Sequence, residues 1–489
     1  MRSINFSVDA IPNSGVIHFS SASTFRRVRS IARLDIDSQR RWYVMPECNF
    51  SFDHSVHDDH PLSEYISTCL SSEDRPQDNP IDTDVALYFI GTGGSCPTKD
   101  RICSTTLLRL GPQSFLFDVG EGAQRQLMFT RMTLKDISKI FITHMHADHI
   151  LGLPGMLLFL NQVSLMRKHN ANGSAEATTI DIYGPPGLFN YIAMTLELSR
   201  AGKLASSFVV HELMGSDEDR IVSSIGRDPR HSNFPEFRRP NLTRKAIPRN
   251  PDGTWTIETP SMKNPLDRLD SRSQGFHIFA AEIEHVHRVP TFGYTVREQD
   301  PEFRIDVEKA RACGIAPGRK YRLLKAGFGA MSDDETRMVQ PEEVLTDQVR
   351  RKARKFAFVG DNSKFSPAMA MLCQDCDVLV HEATVHDDSA SEAIRRGHST
   401  PGMAGQVAQE VNAQVLVLNH ISAKFWADDE LSGIVTAAET TNKGVSSVLV
   451  AHDFMEIKVP LFGFNSTQSQ GNDEKEESVG DTALAAEEA

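Results

Sequence analysis

His144-Met145-His146-Ala147-Asp148-His149 is the stretch on which the reading of this chain turns. The apolar run 139–143 precedes it as a short buried strand, and a helical pattern follows from about residue 152. Two histidines at i and i+2, ending a strand, can turn both imidazoles toward one ion. The Asp-His pair one turn later can then face a neighbouring ion. Mixed imidazole and carboxylate donors suit Zn²⁺, although Mn²⁺ or Fe²⁺ can use similar ligands. Packing explains four such side chains in six residues poorly, because a buried imidazole or carboxylate needs a partner. The expectation is a centre for two metal ions.

Outward from this cluster, 85–90 reads as a strand entering the turn Gly91-Thr92-Gly93-Gly94. Residues 104–110 and 114–118 read as a hairpin around Gly111-Pro112. Apolar runs at 356–359, 378–381, 415–418 and 447–450 lie beside helical segments, which predicts α/β layers. The glycine turn lacks the spacing and the lysine of a phosphate-binding loop, so it is not read as a nucleotide site. Residues 215–276 are polar, proline-rich and poorly periodic, and are expected to form a long surface insertion.

The ends differ from this core. Residues 1–34 hold five arginines and many serines with Asp9 as their only acid, a transit-peptide composition pointing to plastid or mitochondrion, with cytoplasm or nucleus as the alternative. Residues 35–84 read as an acidic linker and 464–489 as an acidic disordered tail, leaving 85–463 as one catalytic domain. The net charge of −13 is concentrated there: 47–84 carries −9 and 465–489 carries −6, so the remainder is +2. Within that remainder, 227–249 and 304–327 each hold seven Lys or Arg against two acids, and such patches can attract phosphates. Seven scattered cysteines argue for reduced thiols and no disulfide partner; Cys373 and Cys376 are read as packing. No stretch approaches the ~18 uninterrupted apolar residues of a membrane span, so the chain is expected to be soluble.

The six-residue run resembles the metal motif of the metallo-β-lactamase superfamily. That resemblance implies a four-layer αβ/βα sandwich with ligands at one edge of two sheets. It also implies further ligands. His287, in His-Arg-Val-Pro-Thr-Phe-Gly-Tyr294, would complete the first shell with His144 and His146; His285 is its rival, and spacing to Gly293-Tyr294 favours His287. Asp361 would bridge both ions, and His420 would join Asp148 and His149 at the second.

Gly91-Thr-Gly-Gly-Ser-Cys-Pro97, Phe117-Asp-Val-Gly-Glu-Gly122, His381-Glu-Ala-Thr384, His398-Ser-Thr400 and Ala451-His-Asp-Phe454 together resemble ribonuclease Z, the tRNA 3′-processing endonuclease, over roughly 85–463. One metal motif in a core of this length resembles the short form, which works as a homodimer. The resemblance implies that the enzyme cleaves precursor tRNA after the discriminator nucleotide, leaving a 3′-hydroxyl tRNA and a 5′-phosphate trailer. Asp148 would act on the attacking water, and His398, steadied by Glu382, on the departing oxygen. The bland alternative for Glu382 and His398 is a buried pair that stabilises two loops. Asp118 and Glu121 read as loop or capping carboxylates. Region 301–350 resembles the extruded arm that grips the tRNA body, with Arg319, Lys320, Arg322 and Lys325 on phosphates. Lys99 and Arg101 fall in the family's Pro-x-Lys-x-Arg-Asn loop, where Ile102 replaces Asn and puts CCA discrimination in doubt. Asn362 replaces Thr after Asp361. The competing reading is a small-molecule phosphodiesterase or arylsulfatase of the same superfamily, which would not need the arm.

Overall fold

Phe115, Leu116 and Phe117 are all buried although successive side chains of a strand point to opposite faces, so both faces of that strand are covered. The same holds for Val378-Leu379-Val380 and Val415-Leu416-Val417-Leu418. In the computed structural model this pattern builds two facing sheets with helices outside each. The structure describes residues 33–36, 42–44 and 85–459, except 131, 133, 171–177, 202–203, 216–239, 260–274, 288, 300–304, 326, 346–352, 424–427 and 445.

The first sheet contains β1 (Arg33–Ile36), β2 (Trp42–Val44), β3 (Val85–Gly91), β4 (Thr105–Leu110), β5 (Gln113–Phe117), β6 (Ile137–Phe141), β7 (Thr179–Gly184), β8 (Ser207–Met214), β9 (Leu242–Pro248) and β19 (Met455–Lys458), in the order 2-1-19-3-4-5-6-7-8-9. The second runs in chain order through β10 (Thr254–Glu258), β11 (Phe276–Ile283), β12 (Thr291–Glu298), β15 (Lys355–Val359), β16 (Val378–Glu382), β17 (Val415–Asn419) and β18 (Ser447–Val450). Between the sheets the rings of Phe117 and Phe358 stack with centroids 3.6 Å apart, and Phe115 meets Phe276 edge-on. Odd residues of β5 enter this central core while Leu116 faces outward, under α1 (Ala123–Leu127), α2 (Ala147–Ile150), α3 (Leu153–Asn170) and α4 (Leu188–Leu198). The apolar α3 buries Leu153, Met156, Leu157, Leu160 and Val163 in this layer, as a core helix does.

Between β12 and β15, which pair antiparallel, the chain leaves the sheet and forms α5 (Val307–Ala312), α6 (Arg319–Lys325), the hairpin β13 (Ala330–Met331) and β14 (Met338–Val339), and α7 (Pro341–Val344). This arm has a miniature core of its own: Ala310, Ile315, Leu324, Ala330, Val339 and Val344. On the far side of the second sheet lie α8 (Pro367–Cys373), α9 (Ala390–Arg395), α10 (Pro401–Glu410) and α11 (Asp428–Asn442). Cys373 and Cys376 are free buried thiols in that layer.

Three boundaries depart from the sequence reading. β1, which spans the expected boundary between transit peptide and linker, and β2 within the linker join the edge of the first sheet; the rest of 1–84 lies outside the described residues, as does the acidic tail. The expected insertion contains β9 and β10, whose Trp255 is fully buried. Its weak periodicity has a physical cause, since an edge strand such as β9 leaves most side chains in solvent. The arm is a folded unit over 305–345 that carries seven basic and seven acidic residues, so the +4 of 305–327 is offset by the −4 of 328–345, where Asp333, Asp334, Glu335, Glu342 and Glu343 stand against Arg337.

Candidate metal centre

All the clustered donors sit where strands of the two sheets end at one edge. After β6, His144 is fully buried, His146 caps α2 and His149 lies within it. His144 Nε2 is 3.0 Å from His146 Nδ1, which is 3.2 Å from His285 Nε2 on the loop after β11. A second group forms beside the first: His149 Nε2 is 3.2 Å from His420 Nε2, itself 3.1 Å from Asp148 Oδ2. Asp361, two residues beyond β15, lies between them. Its Oδ1 is 3.4 Å from His420 Nε2 and 3.6 Å from His149 Nε2, while Oδ2 is 3.9 Å from His144 Nε2.

These residues fit a pair of zinc ions. Zn–N bonds of about 2.0–2.1 Å in a tetrahedron set ligand nitrogens ~3.3 Å apart, close to the spacings found. The opposite ring nitrogens are held by the protein. His285 Nδ1 donates to the Gly397 carbonyl at 2.5 Å and His149 Nδ1 to Asp118 Oδ2 at 2.7 Å, which leaves each Nε2 lone pair facing the cluster. His420 Nδ1 bonds the Thr384 hydroxyl at 2.7 Å and His144 Nδ1 the Thr143 hydroxyl at 3.0 Å. Burial holds His144, His146 and His285 below the ordinary imidazole pKa, in the neutral form a metal needs. Burial also opposes charge on His149, but Asp361 and Asp118 outweigh it and raise its pKa well above the usual value. A position that draws a proton so strongly draws a metal cation for the same reason.

Asp148 is held well below the carboxylate range: burial works against ionisation, but the His420 hydrogen bond and the His149 charge prevail. Its Oδ2 also accepts the Ser95 N–H at 2.7 Å. Gly94 is required beside it because a Cβ there would lie 2.7 Å from the His420 ring.

At the rim, His398 Nδ1 stands 3.2 Å from each oxygen of the buried Glu382 and 3.7 Å from Asp361 Oδ2. Burial disfavours its charge, yet the Glu382 carboxylate raises the pKa to about 9. Glu382 Oε1 also accepts the Asn362 N–H at 2.6 Å, and Asn362 receives the Ser399 hydroxyl on its carbonyl. The Asn-for-Thr departure therefore leaves a connected network, with Asn362 Nδ2 donating to the Gly360 carbonyl.

Several expected residues are placed differently. His287 is exposed on the turn after β11, and His285 stands in the cluster instead, anchored through Gly397. Spacing to Gly293-Tyr294 favours His287, but the chain bends at 286–287, so His285 stays buried at the cluster while His287 is exposed. Arg101 is not directed outward: its Nη1 donates to Thr92 Oγ1 and to the Ala451 carbonyl. Lys320 is engaged with Asp333 at 2.8 Å and with the Ser332 carbonyl, whereas Lys99, Arg319 and Arg322 are exposed and Lys325 half-buried. Glu121 is exposed, and Asp118 orients a clustered imidazole instead of capping a helix. His381 is buried, with Nδ1 donating to the Glu382 carbonyl.

Sequence reading passed over Asp453. Its Oδ1 accepts the Thr92 N–H and hydroxyl, and Oδ2 accepts the Ile102 N–H at 2.8 Å and Gln126 Nε2 at 3.1 Å. Four hydrogen bonds from three segments thus converge on one carboxylate. Because residue 102 takes part through its backbone, Ile in place of Asn leaves the loop anchored.

The chain is similar to several known proteins. Residues 292–421 match the beta-lactamase superfamily domain, and 85–171 match the family described as anti-Pycsar protein Apyc1. Zinc phosphodiesterase ELAC protein 1 of Homo sapiens is 32% identical over 386 residues, covering 77% of this chain and 98% of that protein. Ribonuclease Z of Streptococcus sanguinis strain SK36 is 33% identical over 346 residues, or 70% of this chain and 91% of its own length. The crystal structure of human tRNase Z, short form, aligns at 27% identity and a TM-score of 0.47 over 77% of this chain and 99% of that one.

Proposed function

Because this chain belongs to the ribonuclease Z family of zinc phosphodiesterases, we propose that it removes the 3′ trailer from precursor tRNA. Cleavage after the discriminator nucleotide would leave a tRNA 3′-hydroxyl and a trailer 5′-phosphate. The observation that carries this reading is the Glu382–His398 pair at the rim of the His/Asp cluster, a proton donor 3.7 Å from Asp361.

His144, His146 and His285 would hold one zinc, Asp148, His149 and His420 the other, with Asp361 between. Bound there, the two ions supply Lewis-acid activation of water and neutralise charge on the phosphate. Asp148, fixed by the Ser95 N–H, orients the attacking water and accepts its proton. His398 carries its proton on the imidazolium that Glu382 stabilises, and delivers it to the departing 3′-oxygen. Asp118, Thr143, Thr384 and Gly397 fix the rings so that no reorientation is needed.

The decisive experiment is cleavage of a precursor tRNA with a 3′ trailer. Activity that is abolished by chelator and restored by zinc is expected; intact precursor alongside hydrolysis of a small phosphodiester would sink the RNA assignment.

The arm supports a large polyanionic substrate. Arg319 and Arg322 on α6 are exposed. With Arg319→Gln and Arg322→Gln combined, the slope of log KM for precursor against log salt should flatten by roughly 1.5, two phosphate contacts' worth. An unchanged slope would place the RNA elsewhere. The arm leaves the sheet at the end of β12 and the start of β15, whereas Asp361 follows the other end of β15, roughly 20 Å away at about 3.3 Å per residue. That placement favours a homodimer in which the arm of one copy reaches substrate on the other; a monomer by light scattering at assay concentration would exclude it.

A further inference from the structure

The arm's apolar cluster contains no residue of either sheet, so its direction is set where its two connections meet the sandwich. At that point Glu298 ends β12 and Arg354 precedes β15. The Glu298 N–H donates to the Arg354 carbonyl at 2.9 Å, and the Arg354 N–H returns to Glu298 Oε2 at 3.0 Å. The guanidinium grips the same carboxylate through Nε at 2.8 Å and Nη2 at 2.7 Å. Its remaining Nη1 donates to the Val459 carbonyl at 3.0 Å, and the Val459 N–H in turn bonds the Val85 carbonyl of the first sheet. Arg354 is 2% exposed and is among the largest fully enclosed side chains of the protein.

An apolar pair of similar volume commonly serves stability as well as a buried ion pair does, because desolvation cancels much of the attraction. What the fork adds is direction: two parallel bonds in one plane and a third to another layer. We propose that Glu298 and Arg354 are positioning residues that aim the arm, and so set how well precursor tRNA is captured, without touching substrate or metal. The inference rests on the tRNA reading above. β15 joins the two functions physically, with the pair at its start and Asp361 just past its end.

The test is the double variant Glu298→Leu/Arg354→Met, which avoids stranding one buried charge. Expected are a roughly tenfold rise in KM for precursor tRNA, with kcat, zinc content and turnover of bis-nitrophenyl phosphate within about twofold of wild type. Unchanged KM would overturn the proposal, as would equal loss on both substrates, which would mean general damage to the fold. A second readout does not depend on the substrate. A fluorophore at Met338→Cys, in a chain whose Cys96 is serine, should report faster arm rotation in the double variant. Identical anisotropy decay would overturn the aiming role even if tRNA proved not to be the substrate, and wild-type failure on precursor alone would overturn only the tRNA reading.

Discussion

His398→Ala is expected to slow precursor cleavage about 10²- to 10⁴-fold, the usual worth of a positioned general acid, while both zinc ions remain bound. The imidazole is 3.7 Å from Asp361 but bonded to Glu382, so its removal takes away a proton donor and spares the other side chains of the His/Asp cluster. Glu382→Gln should cost less in rate and lower the pKa of His398 toward its ordinary value, because burial then acts without the opposing carboxylate. Measuring kcat together with zinc content separates the two roles. A His398→Ala enzyme that has lost metal in proportion to activity would make His398 a ligand; one with full turnover would remove it from the chemistry.

The second large effect separates two neighbours. His285→Ala should weaken zinc binding by more than about 100-fold, since loss of an outer-shell partner alone costs 10- to 100-fold, and activity should fall with it. His287→Ala, at an exposed position, should bind zinc and turn over as wild type does. Metal analysis after dialysis against a weak chelator reads the difference directly. The reverse pattern would put His287 in the shell and make the observed arrangement around Gly397 an alternative state of that loop.

That pair marks the limit of what the sequence could say. The strands were legible where both their faces are buried: 85–90, 356–359 and 415–418 all fall within observed strands. The cluster at 144–149 was legible because its donors are contiguous. Ligands on distant loops lack that advantage: His285 and His287 stand two residues apart in one loop, and the anchor that holds His285, the Gly397 carbonyl, lies more than a hundred residues away. Asp118 and Asp453 were misjudged or missed for a related reason. A single carboxylate after a strand looks the same whether it caps a helix, orients His149 or gathers three distant segments. Charge was legible in amount but not in pairing, so Arg101 and Lys320 looked available for RNA while the fold had already engaged them.

The donors divide between the two sheets, and this has a consequence for the order of events in biosynthesis. His144, His146, Asp148 and His149 leave the ribosome early, whereas His285, Asp361 and His420 follow β11, β15 and β17 of the second sheet. The early donors have the spacing to catch a stray ion, yet neither shell can close until the two halves have docked face to face. Metal loading therefore reports completed assembly of the sandwich, and a nascent or half-folded chain is protected from acting as a nuclease.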